Sequence, residues 1–290
     1  MKRKRITLWI IGLLITLTAA VYQKVTGPTY PRKITTTLNN KQYKLKLLRS
    51  HGGKDDATIV LKITDPNVKA KLFWKHYPAE KNESFNVVSF KKGIKKDNFL
   101  FWKFETKGLL AKLPHQPPAG KLMYYIELTD NNKTQTFLKE NPVIIRYKGA
   151  VPPYVLGPHI LFIFFAMFLA NVTGLFAAFK IPQFKRYTGV TLILITIGGM
   201  ILGPIVQKFA FLEYWAGVPY GWDLTDNKLL IAFLAWLIAF FLNIKKGNRV
   251  SVIIASIVTI IIFSIPHSMH GSQLNRETGT IIQGFIQLYF

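Results

Sequence analysis

Cysteine is absent from this chain of 290 residues, and acidic side chains are scarce. Without a thiol, the chain can form no disulfide framework, thiolate metal site, iron–sulfur cluster or c-type haem attachment. The 14 Asp and Glu residues face 38 Lys and Arg, which gives a formal net charge of +24. No pair of carboxylates and no Ser-His-Asp arrangement stands out in residues 27–150. The sequence therefore favours a non-enzymatic role for that region.

Most of the excess positive charge lies in residues 32–148, where 24 Lys or Arg accompany 10 Asp or Glu. Such a surface favours anionic partners, such as lipid head groups, acidic glycans or an acidic protein, although a solubilising surface is the simplest explanation. Nucleic acid is not expected as a partner. The region contains only three Arg, and its predicted location is outside the cytoplasm.

Long apolar runs predict a membrane protein, since half of the residues are hydrophobic. The basic segment MKRKR precedes the uncharged run Ile6–Tyr22, and together they predict a transmembrane anchor over residues 1–26. A cleaved secretory signal, with a small-residue cleavage site near Thr18–Ala20, is the alternative. Residues 151–266 are predicted to form a four-helix transmembrane domain, which makes five spans in all. Its apolar runs are Val155–Phe179, Val190–Val206, Leu229–Ile244 and Val250–Ile265.

The basic loops predict how these helices are oriented. Lys and Arg cluster in Met1–Arg5, Lys180–Gly189 and Lys245–Arg249, which fall on one side of the predicted bundle. By the positive-inside rule that side is cytoplasmic. The region 27–150, the loop Phe211–Lys228 and the tail 267–290 then share the outer face. The tail contains an apolar stretch too short to span, so we expect it to lie in the outer membrane interface or to dock on a partner.

Residues 27–150 have a different pattern, with short alternating runs between turn signals. About eight such runs predict an antiparallel β-sandwich of the immunoglobulin or fibronectin type, with an open β-barrel as the alternative. Tyr124 or Tyr125 is the candidate for a tyrosine corner, and Trp74 for a core tryptophan. The predicted fold class is mixed, with an immunoglobulin-like β-sandwich joined to an α-helical membrane bundle.

The loop Phe211–Lys228 has the sequence FLEYWAGVPYGWDLTDNK and is polar and aromatic between two apolar runs. We interpret it as a surface that contacts a partner or a ligand, although its aromatic residues also fit a belt at the membrane interface. For Thr225 or Asp226, the alternative to such a contact is a structural role as the N-cap of the next helix. The candidate contact residues are Glu213, Trp215, Tyr220, Trp222, Asp223 and Asp226.

Three of the six histidines, His159, His267 and His270, occur where predicted helices meet the outer face. Neutral imidazoles on facing helices can hold b-type haem. His267, Met269 and His270 with a carboxylate would instead suit copper or zinc. The simpler interpretation leaves all of them as interface residues without a cofactor.

The other three histidines are interpreted as ordinary loop residues rather than ligands. They are His51, His76 and His115.

Four phrases resemble those of uncharacterised bacterial inner-membrane proteins that have an N-terminal anchor, a periplasmic β-domain and a C-terminal helical membrane block. The phrases are TGPTYP at Thr26–Pro31, LRSHGG at Leu48–Gly53, LPHQPPAGKL at Leu113–Leu122 and GWDLTDNK at Gly221–Lys228. The resemblance covers most of the chain and implies a bacterial inner membrane, with the β-domain in the periplasm. It carries over no activity and no functional residue.

The leading hypothesis is an accessory, scaffolding or sensing subunit of an envelope complex, whose basic β-domain and polar loop contact a partner. The alternative is a membrane redox or metal protein that binds haem b or copper at the outer histidines. A transporter of small molecules or lipids ranks third. No acidic residue occurs in the middle of a predicted span, which disfavours proton-coupled transport.

Overall fold

The computed structural model describes residues 2–99, 102–267 and 272–282, and the chain divides into two compact units. The helical unit contains the described residues of Met1–Pro28, Ala150–Ser272 and Ile281–Phe290. The sheet unit contains those of Thr29–Gly149 and Gln273–Thr280. The N-terminal helix therefore belongs with the later helices, and a short segment after those helices belongs with the strands.

Apolar runs form the helices of the helical unit. The bounds are α1 Lys2–Thr26, α2 Pro153–Ala178, α3 Phe184–Ile195, a π-helical segment Thr196–Ile201, α4 Leu202–Phe211, α5 Leu224–Ile244 and α6 Arg249–Ser264. In the described part of the chain, four stretches are long and apolar enough to cross a membrane: α1, α2, the continuous helix from α3 to α4, and α5. The predicted spanning helices are confirmed to this extent. Helix α6 has 16 residues, and its span stays a prediction.

Helix α1 packs into the helical unit through one narrow face. Leu8, Gly12, Thr16 and Ala19 are its buried residues, and their spacing of three or four places them on one side of the helix. A Cβ on Gly12 would lie 2.7 Å from a methyl of Val172 in α2. The two backbones thus approach closely, as small residues allow between membrane helices.

The third spanning helix continues through Pro204. Proline lacks an amide hydrogen and clashes with the carbonyl four residues earlier, so an α-helical turn cannot accommodate it without distortion. The π-helical segment Thr196–Ile201 precedes it and widens the turn. Gly198 and Gly199 in this segment are buried, and a Cβ on either would clash with Phe162 or Leu229.

Eleven strands lie among the described residues between 32 and 148 and make up most of the sheet unit. Their bounds are β1 Arg32–Leu38, β2 Lys41–Leu47, β3 Ser50–Gly52, β4 Ala57–Leu61, β5 Val68–His76, β6 Asn86–Ser89, β7 Lys91–Phe99, β8 Trp102–Leu113, β9 Lys121–Asp130, β10 Lys133–Phe137 and β11 Val143–Lys148. Two short strands follow later in the chain, β12 Gln273–Leu274 and β13 Ile281–Ile282.

Two sheets enclose one core in this unit. The larger sheet has the order β3-β11-β9-β5-β6, with β10 also paired to β9, and the smaller has the order β4-β8-β7. Strands β1 and β2 form a separate hairpin. Fully buried side chains from both sheets, including Leu61, Leu113, Ile126 and Tyr147, belong to the same apolar cluster.

One strand pair departs from the predicted antiparallel arrangement, because β11 pairs with β3 in parallel. These strands lie far apart in the sequence, so no hairpin fixes their relative direction. The expectation of a purely antiparallel sandwich is wrong at this edge. The immunoglobulin-like topology stays a prediction.

Of the two candidates for a tyrosine corner, Tyr124 is the one whose hydroxyl bonds to an upstream backbone carbonyl. Its ring is fully buried, and its hydroxyl donates a hydrogen bond to the Leu48 carbonyl at 2.8 Å. Tyr125 lies on the opposite face of β9, where its ring stacks on Phe73 at a centroid distance of 4.7 Å. Trp74 packs against the core while only partly buried.

Candidate functional site

The segment between α4 and α5 lies at the end of the helical unit where α2 begins and α6 finishes, which we call the loop end. Helix α4 stops at Phe211, and Leu212 then takes a left-handed conformation with φ of 67°. Helix α5 starts at Leu224. The residues between them form neither a helix nor a strand, so most of their backbone groups need other partners.

Asp223 provides the first of these contacts by capping α5. Its Oδ1 accepts hydrogen bonds from the amides of Thr225 at 2.8 Å and Asp226 at 3.2 Å. Its own amide donates to the carbonyl of Ala216. The prediction that Thr225 or Asp226 is the N-cap is therefore wrong by two or three positions, since the helix begins one residue after Asp223 rather than at the apolar run.

Asp226 braces the loop from the first turn of α5. Its Oδ2 accepts from the amide of Ala216 at 2.6 Å and from Nε2 of Gln207 at 2.9 Å. Only 5 % of Asp226 is exposed. A Cβ on Gly217 would lie 2.8 Å from the Asp226 side chain, so only glycine lets the loop backbone come this close.

Asn227 adds a third bracing contact, because its Oδ1 accepts from the amide of Val218 at 2.8 Å. Within the loop, the indole Nε1 of Trp215 donates to the Val218 carbonyl at 3.1 Å. Two adjacent side chains in the first turn of α5, Asp226 and Asn227, thus hold backbone amides of the preceding loop, whereas the side chain of Asp223 caps the helix itself. The sequence places these residues together, but their targets depend on the fold.

Three other aromatic residues of the loop are largely exposed. Tyr220 is 84 % exposed, Trp222 is 73 % exposed and Tyr214 is 59 % exposed. Glu213 is half-buried. The predicted contact residues therefore separate into two groups: Asp223 and Asp226 are internal and shape the loop, whereas Tyr220 and Trp222 are available to an external partner.

Lys228 is a buried residue at the loop end that sequence reasoning did not single out. It is 5 % exposed, and its Nζ donates to the carbonyls of Ile265 at 2.8 Å and Pro266 at 3.4 Å. These carbonyls lie just past the last turn of α6, where a positive charge complements the helix dipole. The sequence did contain a signal for this contact, namely a lysine one turn into an apolar helix. A cation buried at such a position requires a partner.

His159 is held in one orientation by the π-helical segment. Its Nδ1 lies 2.8 Å from the carbonyl oxygen of Gly198. A carbonyl can only accept, so this nitrogen carries the hydrogen and Nε2 keeps its lone pair. Histidines that bind metals commonly donate their second nitrogen in this way.

The structure brings His267 within electrostatic range of His159 and Lys228. Desolvation by neighbouring atoms lowers the pKa of His267 to about 4, with smaller contributions from Lys228 and His159. Met269 and His270 lie outside the described residues. Within the described ranges, no group of three or more His, Asp or Glu is placed to hold a metal ion.

The histidines of the sheet unit have local contacts. His76 Nδ1 lies 2.7 Å from Oε1 of Glu83, and His51 Nε2 lies 2.8 Å from the carbonyl oxygen of Asp55. His51 and His115 both meet the edge of the Tyr147 ring, with centroids 5.7 and 6.0 Å away. The prediction of loop positions is wrong for His51, which lies in β3, and for His76, which ends β5, whereas His115 lies in neither a helix nor a strand.

Comparison with protein-family models, with curated proteins and with solved structures finds no match for this chain.

Proposed function

We propose that this protein is a non-enzymatic component of a bacterial inner membrane that holds a protein partner through the loop Phe211–Lys228. It acts as an accessory or scaffolding subunit of an envelope complex. The observation that carries this proposal is the bracing of loop amides by the side chains of Asp226 and Asn227 in α5, beside aromatic residues that remain exposed.

Preorganisation supports a protein partner more strongly than an aromatic belt. A belt residue needs only to reach the lipid head groups, and a flexible loop would satisfy it. A binding surface gains affinity when its backbone is already ordered, because less conformational entropy is lost on association. Tyr and Trp are also the side chains that contribute most to protein interfaces. Tyr220 and Trp222 are side chains of this kind, and they lie in a loop whose backbone is already ordered.

The proposed orientation in the membrane follows from the charges of the segments that precede or connect the helices. The segments Met1–Arg5, Lys180–Gly189 and Lys245–Arg249 carry the basic residues and are placed in the cytoplasm. The loop Phe211–Lys228 and the sheet unit are then placed in the periplasm. An immunoglobulin-like sheet unit with a basic surface would there add a second contact for the same complex or for an anionic ligand.

Co-purification from mild detergent, with and without crosslinking, tests the proposal. The unsubstituted protein should return specific partners in fixed ratio. The double variant Tyr220→Ser and Trp222→Ser should lose them, whereas Tyr154→Ser should retain them. Tyr154 is a matched control, because it is 76 % exposed and begins α2 at the same loop end. A lone monomer, or equal recovery from both variants, would contradict the proposal.

A second candidate function is a membrane redox or metal protein with its cofactor between His159 and His267. The orientation of His159 supports it, since Nδ1 donates to Gly198 and Nε2 remains available as a ligand. Oxidised and dithionite-reduced absorption spectra, with elemental analysis of the same sample, test this function. Reduced haem bands or near-stoichiometric copper, lost in His159→Ala, would support it. A folded, colourless and metal-free protein would reject it.

A further inference from the structure

Asp130 is a fully buried carboxylate at the end of strand β9. The side chains of Tyr124, Ile126 and Leu128 belong to the apolar core, and the alternation of a strand places Asp130 on the same side of the sheet. Its exposure is 0 %. Among the described residues, no hydrogen-bond donor reaches either Oδ1 or Oδ2. Burial of a carboxylate in this way is costly, because the group loses its hydration and gains no partner.

The hydroxyl of Tyr43 is another buried oxygen that has no hydrogen-bond partner in the described part of the chain. Tyr43 lies in β2 and packs against the same apolar core as Leu128. Burial raises the pKa of Tyr43, and the charges of Asp130 and Asp65 raise it further. The phenol is therefore an electrostatic neighbour of both carboxylates, and it stays neutral beside them.

Asp65 lies at the same end of the larger sheet as Asp130. Strand β5 begins at Val68, which pairs with Asp130, and the Val68 amide donates to the Asp65 carbonyl at 3.4 Å. The hairpin of β1 and β2 reaches the same place. Nδ2 of Asn39 donates to the Asp130 carbonyl at 2.9 Å, and Nζ of Lys41 donates to Oδ2 of Asp65. Three turns that are distant in the sequence thus bring these side chains together.

The charges of this cluster do not balance. Lys41 offsets one carboxylate, but its Nζ is already bonded to Asp65. Asp130 then keeps its negative charge inside the sheet unit. Protonation would remove that charge, yet a protonated carboxyl needs an acceptor, and neither oxygen of Asp130 has a hydrogen-bond partner among the described residues. A metal cation answers both needs, because it supplies positive charge and binds oxygen lone pairs directly.

The available oxygens favour one class of cation. Carboxylates and a phenol are hard ligands, which suit Ca²⁺ or Mg²⁺ better than copper. Mg²⁺ usually keeps several waters in a strict octahedron, whereas both oxygens of Asp130 and the hydroxyl of Tyr43 are shielded from solvent. Ca²⁺ accepts irregular geometry and binds carboxylates through one or both oxygens. The cluster therefore fits Ca²⁺ better.

We propose that Asp130, Asp65 and Tyr43 form a Ca²⁺ site in which the ammonium of Lys41 takes the place of the cation when Ca²⁺ is absent. The side chain of Lys41 is 54 % exposed and that of Asp65 is 19 % exposed, so this side gives access from solvent. Lys41 moves out into solvent when Ca²⁺ enters, and water completes the coordination there. A site with only two carboxylates should have a Kd of about 10⁻⁴–10⁻³ M, as in extracellular calcium modules.

Hydrogen exchange of the full chain in an uncharged detergent, at constant ionic strength and rising Ca²⁺ concentration, tests the proposal. Peptides that cover residues 38–43 and 126–133 report on the hairpin tip and on the end of β9. We expect both to become protected with the same midpoint, because Ca²⁺ joins the two elements. Mg²⁺ at the same concentrations should protect them less.

Variants of the ligands should weaken binding, because calcium affinity depends on the number of charged ligands. Asp130→Asn should raise the midpoint by roughly 100-fold and Asp65→Asn by roughly 10-fold. Asp55→Asn is the matched control, since Asp55 is an exposed carboxylate of the same unit. Its midpoint should equal that of the unsubstituted protein.

Lys41→Gln should have the opposite effect and lower the midpoint by about 5-fold, because it removes the competing ammonium. Lys46→Gln is its control, since Lys46 is exposed and lies near the other end of the same hairpin. A purely structural ion pair between Lys41 and Asp65 would instead make Lys41→Gln weaken the region in the presence and absence of Ca²⁺.

The effect of Asp130→Asn on stability should also change sign. Without Ca²⁺ this variant should exchange more slowly than the unsubstituted protein at residues 126–133, by roughly 10-fold, because it removes an unpaired buried charge. With saturating Ca²⁺ it should exchange faster. If Asp130→Asn does not fold, the partly exposed Asp65→Asn and Lys41→Gln still provide opposite shifts.

Three results would overturn the proposal. The first is the absence of Ca²⁺-dependent protection at both peptides. The second is an unchanged midpoint in Asp65→Asn or Asp130→Asn, or an equal change in Asp55→Asn. The third is weaker Ca²⁺ binding in Lys41→Gln.

Discussion

Replacing Asp226 with Asn tests whether charge braces the loop Phe211–Lys228. Oδ2 of Asp226 accepts from the amide of Ala216 at 2.6 Å and from Nε2 of Gln207 at 2.9 Å. The side chain is buried, so water cannot replace these contacts. An asparagine there keeps one acceptor oxygen but loses the charge, which weakens both hydrogen bonds together.

The size of the effect follows from the difference between charged and neutral hydrogen bonds. A bond to a charged group contributes about 1.5–3 kcal/mol, against about 0.5–1.5 kcal/mol for a neutral pair. Loss of the charge from two such bonds therefore costs about 2–3 kcal/mol. For a local opening of the loop this corresponds to a roughly 30- to 150-fold rise in the open population.

Hydrogen exchange followed by mass spectrometry, on protein in lipid nanodiscs, measures that opening at the loop amides. Asp223→Asn is the matched control, because it makes the same chemical change three residues earlier. Oδ1 of Asp223 accepts from two helix amides, and Asn ranks with Asp as an N-cap, so we expect a change below about 0.5 kcal/mol. Equal exchange in the two variants, or none above the unsubstituted protein, would refute the bracing of the loop by Asp226.

Three further predictions concern the sheet unit. Gly108→Ala should lower its unfolding free energy by about 2 kcal/mol or more, because the new Cβ would meet a backbone oxygen at 2.1 Å, whereas Gly93→Ala, with its nearest contact at 3.5 Å, should be tolerated in thermal melting. Tyr124→Phe should cost about 1–2 kcal/mol in denaturant unfolding, because the Leu48 carbonyl loses its donor. Burial, with a smaller contribution from Arg146, lowers the pKa of Lys121 from 10.5 to about 8. The folded state then releases its proton before the unfolded state, so stability rises with pH between these values. Lys121→Met should therefore stabilise the unit at pH 7 by about 1–2 kcal/mol after solvent screening, and the gain should fade towards pH 10 in a denaturation series.

The sequence predicts the helices better than the strands. Apolar runs need only length to be recognised, and each predicted run overlaps a helix. Strand β7 was missed because its sequence, KKGIKKDNF, lacks alternating apolar residues. It forms nonetheless, because pairing with β8 satisfies its backbone. The parallel pairing of β3 with β11 was also beyond prediction, since a three-residue strand gives no directional signal.

The location of the candidate site was predictable from the sequence, but the structural role of each of its residues was not. The alternation of basic and acidic connections located the loop Phe211–Lys228, and its composition indicated aromatic contacts. Which side chains brace the loop depends on where α5 begins, and the start at Leu224 turns Asp223 into the cap and Asp226 into an internal brace. The contacts of Lys228 with Ile265 and of His159 with Gly198 join residues far apart in the chain. No local pattern reveals such pairs.

Site-specific photo-crosslinking at Tyr220 in living cells tests the central claim most directly. A photoreactive amino acid replaces Tyr220, and the same amino acid at Tyr154 provides the control on α2. The account predicts a protein adduct of defined mass at position 220 that is missing at position 154. Adducts with lipid alone at both positions would identify the loop as part of an aromatic belt and contradict the proposed partner surface.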